Sequence, residues 1–254
     1  MSEKVAPPPV TSAKAATTAE EKTSGPALRD WQPHPRAGRN LIYHLIGRLL
    51  RLVFRFYTRW QVIGLENVPP SGGVLLASNH ASYLDPMLIG AALYGYRPPW
   101  LMGKSEMWQN RLLGYINDRV KGFPVRRNSP DRATLRRVLD WLAQGEAVAM
   151  FPEGGRTRTG KLNPALPGIA LLVQKSGVPV VPVACLGTYE MWPTNRKSIR
   201  RAPLKIVFGK PLTFPPEATR EQVTTAIMAA IAALMTAHGC PMEPPQATAP
   251  RAGE

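Results

Sequence analysis

From residue 60 onward, short apolar runs alternate with segments of helical periodicity, and this alternation constrains the fold more than any other feature. Residues 61–63, 74–77, 100–102, 120–125, 147–151, 178–185 and 204–208 read as strands, and residues 86–94, 131–143, 168–175 and 217–237 as helices. In residues 131–143, Leu135, Val138, Leu139 and Leu142 share one face at helical spacing. Strands linked through helices run parallel and need cover on both faces. The expected fold is therefore α/β: a central, mostly parallel sheet flanked by helices, in one domain spanning residues 60–238. A chain of 254 residues is long enough to build such a core.

The ends differ in character. Residues 1–38 and 239–254 are rich in proline and alanine and poor in large apolar residues, which predicts flexible tails. Between the first tail and the domain, residues 39–59 predict a helix. His44, Arg48, Arg51, Arg55 and Arg59 recur at steps of three or four along one side, and leucine, isoleucine, valine and phenylalanine cover most of the rest. Such an amphipathic helix suits a membrane interface, with its arginines at headgroup level. The plainer alternative is a helix packed on the domain with its arginines in water. No stretch offers 18 apolar residues without charge, so no transmembrane helix is expected, and residues 1–22 carry no apolar run of a secretory leader.

Charge narrows the partners. With 32 Lys+Arg against 17 Asp+Glu the formal charge is +15, which favours polyanions: nucleic acid, an anionic membrane surface or phosphorylated substrates. Aromatic residues are only 7% and no nucleic-acid-binding module is evident, so nucleic acid is not expected. Two cysteines, Cys185 and Cys240, make neither a disulfide framework nor a zinc site, and no metal is expected. A reducing, cytoplasmic location follows.

Two segments carry chemistry. Asn79, His80 and Asp85 follow the strand at 74–77 directly. A histidine at a strand end serves as general base, and a carboxylate five residues on can return through a turn to hold the other ring nitrogen. Asp85–Pro86 is equally a helix start, which would leave His80 an ordinary surface residue. The second segment, Phe151–Pro152–Glu153–Gly154–Gly155–Arg156–Thr157–Arg158–Thr159–Gly160–Lys161, follows the strand at 147–151. Its glycines let backbone approach an anion, and its cations supply charge and bidentate guanidinium geometry. A solvated basic turn is the bland alternative. Gly155 to Lys161 also matches the start of a P-loop, but Leu162 stands where a magnesium-ligating hydroxyl belongs and Asn163–Pro164 opposes an immediate helix. Lys104 with Glu106, and Phe123 to Arg127, add cations after two further strands, and four strand ends converging on the carboxyl edge would make a ligand site.

Taken in order, these segments resemble the glycerolipid acyltransferases, specifically the 1-acylglycerol-3-phosphate acyltransferase group. The likeness runs from about Leu41 to Phe214. It rests on Asn79, His80 and Asp85; Lys104 and Glu106; Phe123 to Arg127; Phe151 to Thr157; Val178–Pro179–Val180–Val181–Pro182–Val183; and the lead-in Gly64 to Pro69. Two departures stand out. Gly155 replaces the usual threonine, and Arg126–Arg127 replaces Asp-Arg, with Arg127 taken as the family arginine.

The resemblance implies transfer of an acyl group from a thioester, on coenzyme A or acyl carrier protein, to the free hydroxyl of a lysophosphatidate, giving phosphatidic acid. His80 would be the base and Asp85 its orienting partner, with Arg127, Arg156 and Lys104 holding the acceptor phosphate. Asn79, Glu153, Gly154 and Pro182 would support the motifs, and Glu153 would either touch substrate or order the Arg156 loop. No cofactor is implied beyond the acyl thioester co-substrate. Cys185, inside an apolar strand, reads as core and not as nucleophile. An enzyme acting at the cytoplasmic face of the cell membrane would use the 39–59 helix and the positive charge to stay on anionic lipid. Other acceptors, such as glycerol-3-phosphate or another lysophospholipid, fit the same machinery. A non-catalytic basic peripheral membrane protein is the rival from another class.

Overall fold

The computed structural model describes residues 31–125, 132–196 and 198–245. Seven strands form one sheet: β1 (Gln61–Ile63), β2 (Val74–Ser78), β3 (Trp100–Lys104), β4 (Gly122–Val125), β5 (Ala147–Met150), β6 (Val180–Leu186) and β7 (Lys205–Phe208). Their order is β1-β7-β6-β2-β5-β3-β4. From β6 to β4 all neighbours are parallel, while β7 is antiparallel to β6 and β1 runs parallel to β7. The mostly parallel α/β sheet inferred from the alternation is the one observed.

The helices are α1 (Leu41–Thr58), α2 (Asp85–Ala92), α3 (Arg111–Arg119), α4 (Arg132–Ala143), α5 (Gly168–Ser176), α6 (Thr188–Met191) and α7 (Arg220–Ala237). β2, β5 and β6 are buried along their whole length. Alternate residues of these strands enter opposite cores. Leu75, Val148 and Val180 pack with Val138 of α4, Ile169 of α5 and Ile227 of α7. Leu76, Ala149 and Val181 pack on the other face with Leu88 and Ile89 of α2 and Phe54 of α1. Burial of both faces is why these strands read as unbroken apolar runs without alternation.

Helix α1 carries three stripes. Tyr43, Gly47, Phe54 and Thr58 are buried against the domain. A Cβ on Gly47 would fall 2.3 Å from the Tyr94 ring, so glycine is what lets α1 lie this close to the end of α2. His44, Arg48, Arg51 and Arg55 form the second, exposed stripe. The third is apolar and exposed: Leu41 is 83% accessible, Phe56 69% and Leu45 65%, with Leu49 and Leu52 beside them. Among the described residues no helix is long and apolar enough to cross a membrane.

Two boundaries move. The flexible tail expected over residues 1–38 ends earlier, because Trp31 is only 6% accessible. Its indole meets Trp100 and Trp141 edge-on and donates to Asp118 Oδ1 at 2.8 Å. Asn40 then caps α1 by accepting from the Tyr43 N–H, while its amide donates to the Arg119 carbonyl. At the other end, Cys240 N–H donates to the Met235 carbonyl, and Cys240 and Met242 pack against the core within the stretch read as tail from residue 239. The rest of both expected tails, residues 1–30 and 246–254, lies outside the described residues.

Helix α3 was not anticipated. Of its residues only Gly114 is buried, whereas Leu112, Leu113 and Tyr115 are exposed. The periodic signal of a core-facing stripe is therefore missing. The short α6 escaped for lack of length.

Candidate active site

The carboxyl edge of the sheet places the chemistry-bearing segments side by side, because β2, β5, β3 and β4 are consecutive parallel neighbours. β2 ends at Ser78. Asn79 is buried, and its side chain splices the strand end to β6: its amide donates to the Cys185 carbonyl at 3.0 Å and its Oδ1 accepts the Cys185 N–H at 2.7 Å. A side chain acting as a backbone ladder rung fixes where the next residue, His80, leaves the sheet.

The chain then turns into α2, whose first residue is Asp85. Its Oδ2 lies 2.9 Å from His80 Nδ1 and accepts the N–H groups of Ala81 and Ser82, each at 2.7 Å. Asp85 is fully buried, and a carboxylate there is stabilised by these three donors and by the start of α2. Asp85 is the first residue of the helix, with Leu84 and not Asp85 at its N-cap. His80 is not left as an ordinary surface residue, because it pairs with this same carboxylate. As an acceptor it fixes the proton of His80 on Nδ1 and leaves Nε2 to accept a proton from elsewhere. Phe151, at the end of β5, stacks on the imidazole at 3.9 Å between ring centroids and 16° between planes, which fixes the ring plane from a second direction.

After β5, Glu153 is buried and spans two segments. Oε1 accepts the His80 N–H at 2.7 Å and Oε2 the Asn163 N–H at 2.8 Å. Glu153 therefore orders the 151–163 loop against the histidine. Gly154 has φ +67°, and a Cβ there would meet Leu166 at 2.1 Å, so this position requires glycine. The Thr157 N–H donates to the His80 carbonyl at 2.8 Å, tying the same loop to the histidine a second time. Arg156, one residue before, lies with Cζ 3.5 Å from the centroid of the Tyr83 ring.

Burial pushes the Glu153 carboxyl up to about 7, against the pull of the two backbone N–H donors. The ordinary value is 4.5, so between pH 4.5 and about 7 the native state holds a proton that the unfolded chain has released. Stability is then expected to fall as pH rises through this window and to level off above it. Over the whole window the change is on the order of 3 kcal/mol. Glu153→Gln should carry a constant cost, since its amide faces one of the two N–H donors, but should lose this slope. Denaturant midpoints of both proteins between pH 5 and 8 test this, and parallel profiles would remove the titration from Glu153.

The other expected site residues fall as follows. Lys104 ends β3 and is exposed, two strands from His80. Pro182 is buried in β6 opposite Ala77, inside the sheet. Arg127 lies outside the described residues. Cys185 is buried, and burial raises its thiol well above the ordinary value, consistent with a core role. Among the described residues, no group of three or more His, Cys, Asp or Glu side chains is placed to hold a metal ion. Phe151 belongs to the second chemistry-bearing segment, but nothing in the sequence assigns it the stacking on His80, and nothing there marks Tyr83 or Trp192 for a role at the site. Aromatic residues at strand and turn ends carry no periodic signal that marks them.

The fold is α/β, and the His80–Asp85 pair makes the carboxyl edge of the sheet the candidate active site. The acyltransferase family model matches residues 59–186, half of the chain. A 1-acyl-sn-glycerol-3-phosphate acyltransferase of Bacillus subtilis is 27% identical over 172 residues, covering 67% of this chain and 82% of that protein. One of Chlamydomonas reinhardtii is 31% identical, covering 76% of this chain and 58% of its own length. A chloroplast relative of Brassica napus is 28% identical, and the match spans 51% of it. The crystal structure of the 1-acyl-sn-glycerophosphate acyltransferase PlsC of Thermotoga maritima shares the fold, with a TM-score of 0.67 at 21% identity over 79% of this chain and 81% of that one. The chain belongs to the acyltransferase family.

Proposed function

We propose that this acyltransferase moves a fatty acyl group from an acyl thioester, carried by coenzyme A or acyl carrier protein, to the free hydroxyl of 1-acyl-sn-glycerol-3-phosphate, giving phosphatidic acid. The observation that carries the reading is the His80–Asp85 pair, held at 2.9 Å beside a loop that presents Arg156. Neutral His80 takes the acceptor hydroxyl proton on Nε2 as that oxygen attacks the thioester carbonyl. Asp85 stabilises the imidazolium that results. Collapse of the tetrahedral adduct breaks the C–S bond, and the departing thiolate takes the proton back from His80. No acyl-enzyme is formed. Arg156, with Arg127 and Lys104, holds the acceptor phosphate and so fixes which hydroxyl reaches the base.

Helix α1 completes the reading. Its exposed leucines and Phe56 enter the acyl region of an anionic leaflet, and His44, Arg48, Arg51 and Arg55 meet phosphate at headgroup level. The enzyme then works at the cytoplasmic membrane surface, where a long-chain acceptor resides. The test is product identification by mass spectrometry on phosphatidylglycerol-containing vesicles that sediment the protein. Lysophosphatidate, glycerol-3-phosphate and other lysophospholipids are supplied with acyl-CoA or acyl carrier protein in parallel. Phosphatidic acid from lysophosphatidate is expected. Product from another acceptor alone would overturn the substrate assignment, and no product from any pair would overturn the reading as a whole.

A further inference from the structure

The Arg156 guanidinium lies over the ring of Tyr83, its Cζ 3.5 Å from the centroid, and Tyr83 sits inside the turn that joins His80 to Asp85. The Tyr83 ring is in turn packed by Trp192, with centroids 5.2 Å apart. The Trp192 segment is itself fastened to the turn. Ser82 Oγ donates to the Trp192 carbonyl at 2.7 Å, and Ser82 bridges to Pro193. Arg196 also donates to the Glu190 and Met191 carbonyls, which stiffens that segment from behind. Among the described residues, Arg156 Nη1 is buried without a hydrogen-bond partner.

A guanidinium offers two different surfaces. Its face binds an aromatic ring, while its edge carries the N–H groups that fork onto a phosphate. Contact with Tyr83 covers one side of the guanidinium and restricts its plane, while Nη1 on its edge stays unpaired. Left alone, a long arginine side chain samples many rotamers and loses that freedom on binding. Here part of that loss is met during folding, and the unpaired Nη1 is a donor that a phosphate reaching the loop would satisfy.

We infer that Tyr83, backed by Trp192, is a positioning residue that presets the plane of Arg156 for the phosphate of the acceptor. The inference rests on the proposed role of Arg156 and concerns acceptor binding, not the proton transfer. It also gives a purpose to an aromatic residue placed between the base and its carboxylate partner: one short turn then sets both the imidazole and the phosphate clamp.

The test is steady-state kinetics on mixed micelles with the acyl thioester saturating and lysophosphatidate varied, for Tyr83→Leu, Tyr83→Phe, Arg156→Ala and the Tyr83→Leu/Arg156→Ala pair. Tyr83→Leu is expected to raise the acceptor KM about tenfold with kcat little changed. Tyr83→Phe, which keeps the ring, should restore the wild-type KM. In the double variant, loss of Tyr83 should add nothing to loss of Arg156. A Tyr83→Leu enzyme with unchanged KM beside an impaired Arg156→Ala enzyme would overturn the positioning role alone. An unimpaired Arg156→Ala enzyme would instead overturn Arg156 as the phosphate holder. If Tyr83→Phe is as impaired as Tyr83→Leu, the hydroxyl and not the ring face matters, and the inference fails. Tyr83 is half-exposed, so thermal unfolding should differ little among these variants.

Discussion

His80→Ala is expected to lower kcat about a thousandfold while leaving the acceptor KM within a few-fold of wild type. In the proposed mechanism the imidazole takes the hydroxyl proton, with Nδ1 committed to Asp85 and Phe151 stacked on its face. Its removal leaves Arg156 in place, because the loop is tied to the backbone of residue 80, through Glu153 and the Thr157 N–H, and not to its side chain. Asp85→Asn should be nearly as damaging by another route. The amide can donate to Nδ1 and so favours the wrong tautomer, as a carboxylate never does. Rapid-quench or steady-state turnover with matched thermal unfolding curves decides the matter. A His80→Ala enzyme that keeps a tenth or more of wild-type kcat would show that the proton leaves by another path.

The second large effect is on stability. Trp31→Ala should cost about 3–5 kcal/mol, as for other buried tryptophans. Trp31 fills the space at the edges of Trp100 and Trp141, and those two rings are themselves stacked 4.1 Å apart. Asp118 Oδ1 takes the Trp31 N–H and also that of Trp108 at 2.7 Å, so one carboxylate joins the entering chain to α3 and to the 3₁₀ turn at Ser105–Trp108. Urea titration reads the loss directly. A change below about 1 kcal/mol would mean that residues 31–38 ride on the surface and do not seal the core.

Much of the fold was legible because its signals are local. β2, β5 and β6 announce themselves as apolar runs, and α4 by Leu135, Val138, Leu139 and Leu142 at helical spacing. The His80–Asp85 pairing was legible as one of two readings, since a turn of five residues can bring both side chains together, and the 2.9 Å contact decides for it. Trp31 was misjudged because its neighbours in sequence are prolines and polar residues, and its partners Trp100, Trp141 and Asp118 are far along the chain. Helix α3 was missed because its apolar residues face outward, where composition no longer reports on burial.

By itself, then, the sequence determined the alternation that makes a mostly parallel α/β sheet, the His80–Asp85 pair after β2, and the glycine-bearing loop after β5. Each follows from backbone preferences and side-chain chemistry within a few residues. Only the tertiary structure decided that Glu153 holds the loop to the histidine, that Phe151 and Tyr83 flank His80 and Arg156, and that Trp31 belongs to the core. Those contacts join residues from different strands and loops. Their free energy depends on which groups share a dry interior, and that is settled only when the sheet has brought its carboxyl edge together.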